Sequence, residues 1–253
     1  MFFYFKKKKV VWDVFTAMPN AIELHPIASV GKYLPESFKK MPSTYQARGE
    51  TSNMTVPRST LKGCDGFLDM MRTGFVLPLW SDMKFQTAKI GWQAELPDAS
   101  GYPIVQHDPG QLGSMFKDFQ NCKLVSPWGI KSPVDIPSYW GTPSWLNIES
   151  AWKNFQVLPG VINFAHTHQT NIPMLLPKES REFTIPFLTP MVHIVPITEH
   201  DVQLKFHQVD DKEFHNVVTN PFNRTFHGGY KKVTRARKNE SAGGKCPFGF
   251  GKK

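Results

Sequence analysis

Short segments rich in β-branched and aromatic residues recur along the chain, separated by proline, glycine, asparagine or aspartate. This pattern is typical of β-strands bounded by turns. Residues 83–89 alternate between apolar and polar side chains, as in a strand with one solvated face, whereas residues 75–80 are almost continuously apolar and predict a buried central strand. Strands are predicted over residues 10–15, 75–80, 83–89, 91–94, 123–125, 128–131, 156–158, 161–164, 172–176, 183–185, 192–197 and 202–206.

Long helices are not expected, because 21 prolines and 18 glycines interrupt the 253-residue chain. Proline removes a backbone donor and clashes with the preceding helical turn. Short helices are predicted over residues 35–41, 65–73, 111–119 and 210–218. Residues 97–113 and 133–144 have the composition of long loops, and we expect a partner to dock there.

Together these elements predict a mainly β fold, either a sandwich or a jelly-roll-like barrel, with a few short peripheral helices. Hydrophobic residues make up 40% of the chain, enough for one core spanning residues 10–230. Residues 1–9 form a predicted basic N-terminal extension, and residues 231–253 form an extended basic C-terminal arm. The predicted buried centre comprises Phe75, Val76, Leu77, Trp80, Val161, Ile162, Ile194 and Val195.

Basic residues are concentrated at the two ends of the chain. Of the formal net charge of +9, the arm carries +7 and the four lysines at positions 6–9 carry +4, which leaves residues 10–230 at −2. Nucleic acid is therefore possible but the less favoured partner, because proteins that bind it usually have a basic face on the fold itself. We expect the arm to be disordered alone and to bind an acidic neighbouring subunit. Its candidate contact residues are Lys231, Lys232, Arg235, Arg237, Lys238, Phe248 and Phe250.

Three cysteines, Cys64, Cys122 and Cys246, lie far apart in the sequence, which is typical of reduced thiols. No apolar stretch reaches 18 residues, so no membrane-spanning helix is predicted. The N-terminus places its apolar residues before its lysines, the reverse of a signal peptide. We therefore expect a protein made in the cytoplasm and used or assembled there.

Three histidines form the most specific candidate for a metal site. Gly160 is followed by His166 and His168, and His193 lies on a predicted strand. Two imidazoles at positions i and i+2 of a strand share a face, and a third from a neighbouring strand completes a three-histidine site. The spacing resembles the first half of the cupin metal motif, although the glutamate expected soon after His168 is missing. The alternative is that these histidines bond to backbone, and we expect no cofactor.

Five motifs follow one another between residues 61 and 197: LKGCDGFLD (61–69), GFVLPLWSD (74–82), KLVSPWGIK (123–131), LPGVI (158–162) and FLTPMVHIVPI (187–197). With VFT (14–16) and ELHPI (23–27), they resemble a family of uncharacterised proteins encoded by tailed bacteriophages, particularly marine ones. The resemblance spans most of residues 10–205. It implies a phage protein, but the family has no established activity to carry over.

Residues 158–162, 171–174 and 189–195 also resemble the closing strands of dUTPase-like folds. In those folds a catalytic aspartate follows the turn, whereas this chain has Asn163 at that position. Without a carboxylate there is no base to activate water for attack on a pyrophosphate. The resemblance therefore implies a shared fold without the shared activity.

Two functions from different classes remain open. The favoured prediction is a non-enzymatic virion structural protein, a capsid-decorating, neck or tail component that forms homo-oligomers and contacts other virion proteins. The alternative is a phage-encoded accessory enzyme, either cupin-like and metal-dependent or dUTPase-like and nucleotide-handling. The first is favoured because the sequence shows no complete catalytic motif.

Overall fold

A computed structural model describes residues 8–48, 55–97, 101–106, 109–143, 145 and 154–219, and it is mainly β, as predicted. The strands are β1 (Lys9–Thr16), β2 (Ala28–Ser29), β3 (Thr44–Arg48), β4 (Thr55–Ser59), β5 (Phe75–Pro78), β6 (Met83–Thr87), β7 (Trp92–Glu95), β8 (Ile104–Gln106), β9 (Phe119–Leu124), β10 (Gly129–Lys131), β11 (Pro137–Gly141), β12 (Gln156–Val157), β13 (Gly160–Asn163), β14 (Ile172–Pro177), β15 (Arg181–Ile185), β16 (Pro190–Pro196) and β17 (Asp201–Gln208). The α-helices are short: α1 (Ala21–Leu24), α2 (Glu36–Lys40), α3 (Asp65–Arg72) and α4 (Asp211–Val218). The predicted C-terminal arm, with all its candidate residues, and residues 1–7 lie outside the described residues.

Within the described residues the strands form five sheets, with the orders β10-β1-β17, β13-β11-β16-β5-β2, β12-β14-β9-β8, β15-β6-β7 and β3-β4. The first four sheets share one continuous core, which contains Trp12, Phe85, Trp128, Phe164 and Met174. Sheets that bury their apolar faces against one another around a common core form a β-sandwich-like domain.

The first and last strands lie side by side in the three-stranded sheet. β1 pairs in parallel with β17 from Lys9 opposite Asp201 to Thr16 opposite Gln208, and it pairs antiparallel with β10 on its other side. Alternate side chains of β1 are buried, with Trp12 completely so. The other side chains of β1 form an outer face together with those of β17.

The strand predicted to be central and buried is β5, which lies between β16 and β2 in the five-stranded sheet. Leu77 joins the main core, whereas Val76 faces a second small cluster with Val30 and Met71. Both faces of β5 are thus covered, as its almost continuous apolar sequence predicts. Trp80, just after it, is only 3% exposed.

The predicted helix over residues 111–119 is wrong. These residues contain the end of a short 3-10 helix (Pro109–Leu112), a series of turns and the first residue of β9. Gly113 adopts a left-handed φ of 56°, which interrupts any continuous helix. The other three predicted helices are present as α2, α3 and α4, and the Asp210 side chain caps α4 by accepting a hydrogen bond from the Glu213 N–H at 2.7 Å.

The two predicted loops contain strands. Residues 133–144 include β11, which lies inside the five-stranded sheet and buries Ser138 and Trp140. Pro137 is the first residue of β11, a position at which strands tolerate proline. The segment 97–113 includes β8 at the edge of the four-stranded sheet. Two of the prolines that suggested loops thus stand at the starts of strands, Pro103 immediately before β8 and Pro137 as the first residue of β11.

Two residues of the predicted buried centre belong to the outer face of the five-stranded sheet. Val161 is 60% exposed, and Val195 is partly buried, whereas the neighbouring Ile194 is completely buried. Val161 and Val195 both lie opposite Tyr139, so all three point outward. Successive strand residues face opposite sides, and Ile194 and Val195 cannot both enter the same core.

Candidate functional site

The H-x-H pair lies in a turn and not on a strand. β13 ends at Asn163, and the backbone N–H groups of His166 and Thr167 both donate to the Asn163 carbonyl oxygen, at 3.0 and 2.9 Å. His168 follows in irregular structure. The alternation that would place two imidazoles on one strand face therefore does not apply to this pair.

His166 is buried next to a carboxylate. Its Nε2 lies 3.4 Å from Asp135 Oδ2, and the other oxygen of Asp135 accepts a hydrogen bond from the side-chain amide of Asn163. The His166 side chain is 4% exposed, whereas that of Asp135 is 61% exposed. Asp135 thus fastens the turn after β13 to the segment that leads into β11.

Asn163 uses both polar atoms of its side chain in this turn. Its Nδ2 donates to Asp135, and its Oδ1 accepts a hydrogen bond from the Ala165 N–H at 3.0 Å. An aspartate here would keep the acceptor but lose the donor, and it would face the carboxylate of Asp135. The residue that stands in place of the dUTPase aspartate therefore has a structural role in this chain.

His168 connects the same turn to α4. Its Nδ1 lies 2.9 Å from the carbonyl oxygen of Val217, and because a carbonyl only accepts, Nδ1 carries the donated proton. Burial lowers the pKa of His168, and the hydrogen bond to Val217 opposes this effect only in part. The ring is therefore neutral at pH 7.

His193 connects β16 to the end of α3. Its Nε2 donates to the carbonyl oxygen of Thr73 at 2.7 Å, and its ring packs edge-on against Trp145 with ring centroids 4.9 Å apart. Burial lowers the pKa of His193 as well. This histidine is a neutral bridge between the five-stranded sheet and the helix that covers it.

The structure does not gather His166, His168 and His193 into one site. Each contacts a different part of the fold, and two of them bond to backbone carbonyl groups, as the alternative interpretation predicted. Across residues 8–219, the described parts contain no group of three or more His, Cys, Asp or Glu side chains arranged to hold a metal ion. Cys64 and Cys122 are free thiols, as predicted, whereas Cys246 lies outside the described residues.

Sequence reasoning missed a pair on the outer face of the β1–β17 strand pair. His207 Nε2 lies 2.7 Å from Asp13 Oδ1, and the imidazole stacks on Phe15 with ring centroids 4.8 Å apart. The two partners are 194 positions apart in sequence. Nothing local in the sequence indicates that the first and last strands are neighbours, so no sequence signal for this pair was available.

Open clefts border three parts of the described surface. One of about 650 Å³ lies where β1, α3 and β17 meet and is lined partly by Lys9, Arg72 and Asp201. Another, of about 560 Å³, follows the turn between β6 and β7. A third, of about 430 Å³, separates α4 from the sheet and is lined partly by Lys131 and Glu213. All three clefts mix acidic with basic side chains, the second through Arg181 and Glu182.

The β3–β4 pair, hereafter the ribbon, lies apart from both apolar clusters. Every residue of β4 and all of β3 except Ala47 are exposed. Side chains directly opposite one another share a face, so Tyr45, Ala47, Val56 and Arg58 form one face and polar residues dominate the other. Tyr45 is 51% exposed and Val56 is 37% exposed, which leaves this mainly apolar face open to solvent.

The base of the ribbon is held firmly although its strands are open. Thr60 Oγ1 donates to the Pro42 carbonyl oxygen at 2.7 Å, and Lys62 Nζ donates to the Lys39 carbonyl oxygen at the same distance. Phe38 on α2 packs against Phe67 on α3, with ring centroids 5.6 Å apart. The ribbon thus extends from a base that is anchored to α2 and α3, whose Phe38 and Phe67 pack against the second apolar cluster.

A comparison with models of known protein families and with curated proteins finds no match for this chain. None of the described helices is long and apolar enough to cross a membrane. The resemblance to tailed-phage proteins therefore stays a prediction from the sequence motifs.

Proposed function

We propose that this chain is a non-enzymatic structural component of a bacteriophage particle, assembled in the host cytoplasm through contacts with copies of itself and with other virion proteins. The observation that carries the proposal is the ribbon, whose strands are solvent-exposed on both faces while its base is anchored to the body. An isolated two-stranded ribbon is marginally stable in water. A partner surface supplies the packing that the chain's own core does not give to the ribbon.

A second exposed apolar surface supports an assembly role. Val161, Tyr139 and Val195 lie in a row across three neighbouring strands of the five-stranded sheet and face away from the main core. Val161 is 60% exposed, and Ile197, just beyond the sheet, is 58% exposed. Contiguous exposed apolar side chains are more typical of interaction surfaces than of solvated sheet faces.

The basic arm, residues 231–253, is the third attachment in this proposal. Its charge of +7 contrasts with the −2 of residues 10–230, so a neighbouring copy of the body is an electrostatically suitable partner. Each exposed ion pair contributes only about 0–1 kcal/mol, so burial of Phe248 and Phe250 supplies comparable or greater affinity.

The accessory-enzyme alternative is less well supported by the contacts of its candidate residues. His168 and His193 donate to backbone carbonyl groups in different parts of the fold, which removes the basis for a cupin-like metal site. Both polar side-chain atoms of Asn163 make hydrogen bonds in the turn after β13, and an amide is not a base, so the dUTPase-like alternative lacks a catalytic base at this position. The phage context itself depends on the sequence motifs.

Quantitative mass spectrometry of purified particles from a phage that encodes this chain tests the proposal. We expect the chain at a fixed copy number comparable with known structural components. Deletion of residues 231–253 is expected to leave the folded body intact, by circular dichroism, while abolishing incorporation. Absence of the intact chain from particles, or its presence at trace levels only, would contradict the structural role.

A further inference from the structure

The hydrogen-bond register of the ribbon shows which backbone groups face outward. The Thr60 N–H donates to the Ser43 carbonyl oxygen at 3.0 Å, and the next pair along is Thr44 opposite Ser59. Antiparallel strands alternate between hydrogen-bonded and non-hydrogen-bonded pairs. Gln46 and Pro57 lie opposite one another, three steps beyond the hydrogen-bonded Ser43 pair, so theirs is a non-hydrogen-bonded pair.

The two edges of the ribbon consequently differ in their capacity to bind another strand. The backbone groups of Thr44 and Gln46 point away from β4, which gives β3 an edge with donors as well as acceptors. On the other strand the nitrogen of Pro57 points outward and has no hydrogen to donate. Proline in an edge strand blocks pairing with a further strand. Among the described residues no further strand pairs with the ribbon, and its open edge is therefore that of β3.

We infer that two copies of this chain associate through their β3 strands, antiparallel and centred on Gln46, to form a four-stranded sheet with the order β4-β3-β3-β4. A two-fold axis at the Gln46 pair places the same edge of both copies in contact, as a closed dimer requires. This inference names the partner of the ribbon and so rests on the proposed assembly role.

The residues of β3 are compatible with this self-pairing. Centring on Gln46 places Thr44 of one copy opposite Arg48 of the other and Tyr45 opposite Ala47. No like charges face each other directly, although such contacts destabilise sheets. Every outward-facing residue of β3 meets an outward-facing residue of the second copy, so the backbone donors and acceptors of the two edges are in register.

The pairing also extends the apolar face of the ribbon. Tyr45, Ala47 and Val56 share that face in each copy, and the two-fold axis brings the two sets together across the β3–β3 contact. A sheet of four strands with a continuous apolar face is more stable than two separate two-stranded ribbons. The dimer therefore supplies what the isolated ribbon lacks.

The first test compares two proline variants by analytical ultracentrifugation of the full chain. Gln46→Pro removes the central donor of the β3 edge at a position that makes no hydrogen bond to β4, and the natural Pro57 directly opposite shows that the ribbon accepts proline there. The matched control, Thr55→Pro, places the same residue at an outward-facing position of β4. We expect dimers of the native chain and of Thr55→Pro and monomers of Gln46→Pro, all with the same circular dichroism spectrum.

A cross-linking test does not depend on the fold of a proline variant. In the inferred register Gln46→Cys faces its own copy at about 5.5 Å between Cα atoms, which suits a disulfide. Thr44→Cys lies four residues from its symmetric copy along the partner strand, about 13 Å away. Both variants carry Cys64→Ser and Cys246→Ser, which leaves the buried Cys122 as the one remaining native thiol. We expect a covalent dimer from Gln46→Cys under mild oxidation and none from Thr44→Cys.

The outcomes separate this inference from the proposed function. A monomeric native chain, equal cross-linking of both cysteine variants, or no cross-linking of Gln46→Cys overturns the β3 pairing, even where the chain is abundant in particles. Cross-linking of Gln46→Cys alone supports the pairing, even where mass spectrometry finds no chain in particles and so contradicts the virion role.

Discussion

The imidazole of His207 lies 2.7 Å from the carboxylate of Asp13, across the parallel pair formed by the last and first strands of the domain. Both side chains are partly exposed, at 28% and 39%. The contact joins the two ends of the β domain, and the stacking of His207 on Phe15 fixes the orientation of the ring.

Removal of this contact should destabilise the fold only slightly. For a partly exposed pair we expect a coupling of about 0.2–1 kcal/mol between Asp13→Ala and His207→Ala in a double-mutant cycle. His207→Phe is a useful third variant, because it keeps the stacking on Phe15 while it removes the hydrogen bond. Urea unfolding measures each free energy. If the free-energy changes of the two single variants simply add up in the double variant, the contact between Asp13 and His207 contributes no coupling energy.

Gly74, which connects α3 to β5, should be far less tolerant of a side chain than Gly91. Both glycines have left-handed φ angles, 79° and 82°. A Cβ at position 74 would overlap the carbonyl oxygen of Ile194, whereas a Cβ at position 91 would meet nothing within 4 Å. We expect Gly91→Ala to cost about 1 kcal/mol for its φ alone and Gly74→Ala to cost clearly more. If thermal unfolding shows the same loss of stability in both variants, β16 must be able to move away from position 74 at little cost.

The hydrophobic pattern predicted most strands correctly because most of them bury one face against the shared core. β1 and β6 show the alternation that results, and β5 shows the continuous apolar run of a strand covered on both faces. The two strands of the ribbon were not predicted, because neither of their faces is buried against the core. β3 and β4 bury almost nothing, so solvent imposes no hydrophobic pattern on them.

The candidate site was harder to predict than the fold because its contacts join distant parts of the chain. His193 bonds to Thr73, 120 positions away, and Asp13 bonds to His207 at a separation of 194. Local spacing suggested that His166 and His168 share a strand face, but His166 lies in the turn that begins at Asn163 and His168 follows in irregular structure. Spacing indicates shared faces only after the element type is known.

The contact between Asn163 and Asp135 should require one amide and one carboxylate, but it should not matter which of the two positions carries which group. Asn163→Asp removes the donor to Asp135 and sets two carboxylates against each other. We expect a loss of about 1–3 kcal/mol at neutral pH. The exchanged pair, Asn163→Asp with Asp135→Asn, restores one donor and one acceptor and should recover most of this loss in urea unfolding. A stable single variant would contradict the structural role given to Asn163.

Acid should destabilise the fold through its buried histidines, and His25 offers the clearest test. His25 is 2% exposed and lies between the rings of Trp128 and Phe187, with ring centroids 5.9 Å away in each case. Burial lowers its pKa below the usual 6.5. A proton therefore binds the unfolded chain more readily than the folded one.

The sign of the effect follows from this difference in proton binding. Well above pH 6.5 the ring is neutral in both the folded and the unfolded state, so it does not change the free energy of unfolding. As the pH falls below 6.5 towards the lowered pKa of the folded state, the unfolded state takes up more protons, so the free energy of unfolding decreases. His25→Phe keeps an aromatic ring between Trp128 and Phe187 but cannot be protonated. In this variant the free energy of unfolding, measured with urea, should depend less on pH below 6.5. His168 and His193, whose pKa values burial also lowers, should account for the pH dependence that remains. His200→Ala, at an exposed histidine, is the matched control, and an equal flattening in that variant would contradict the assignment to His25.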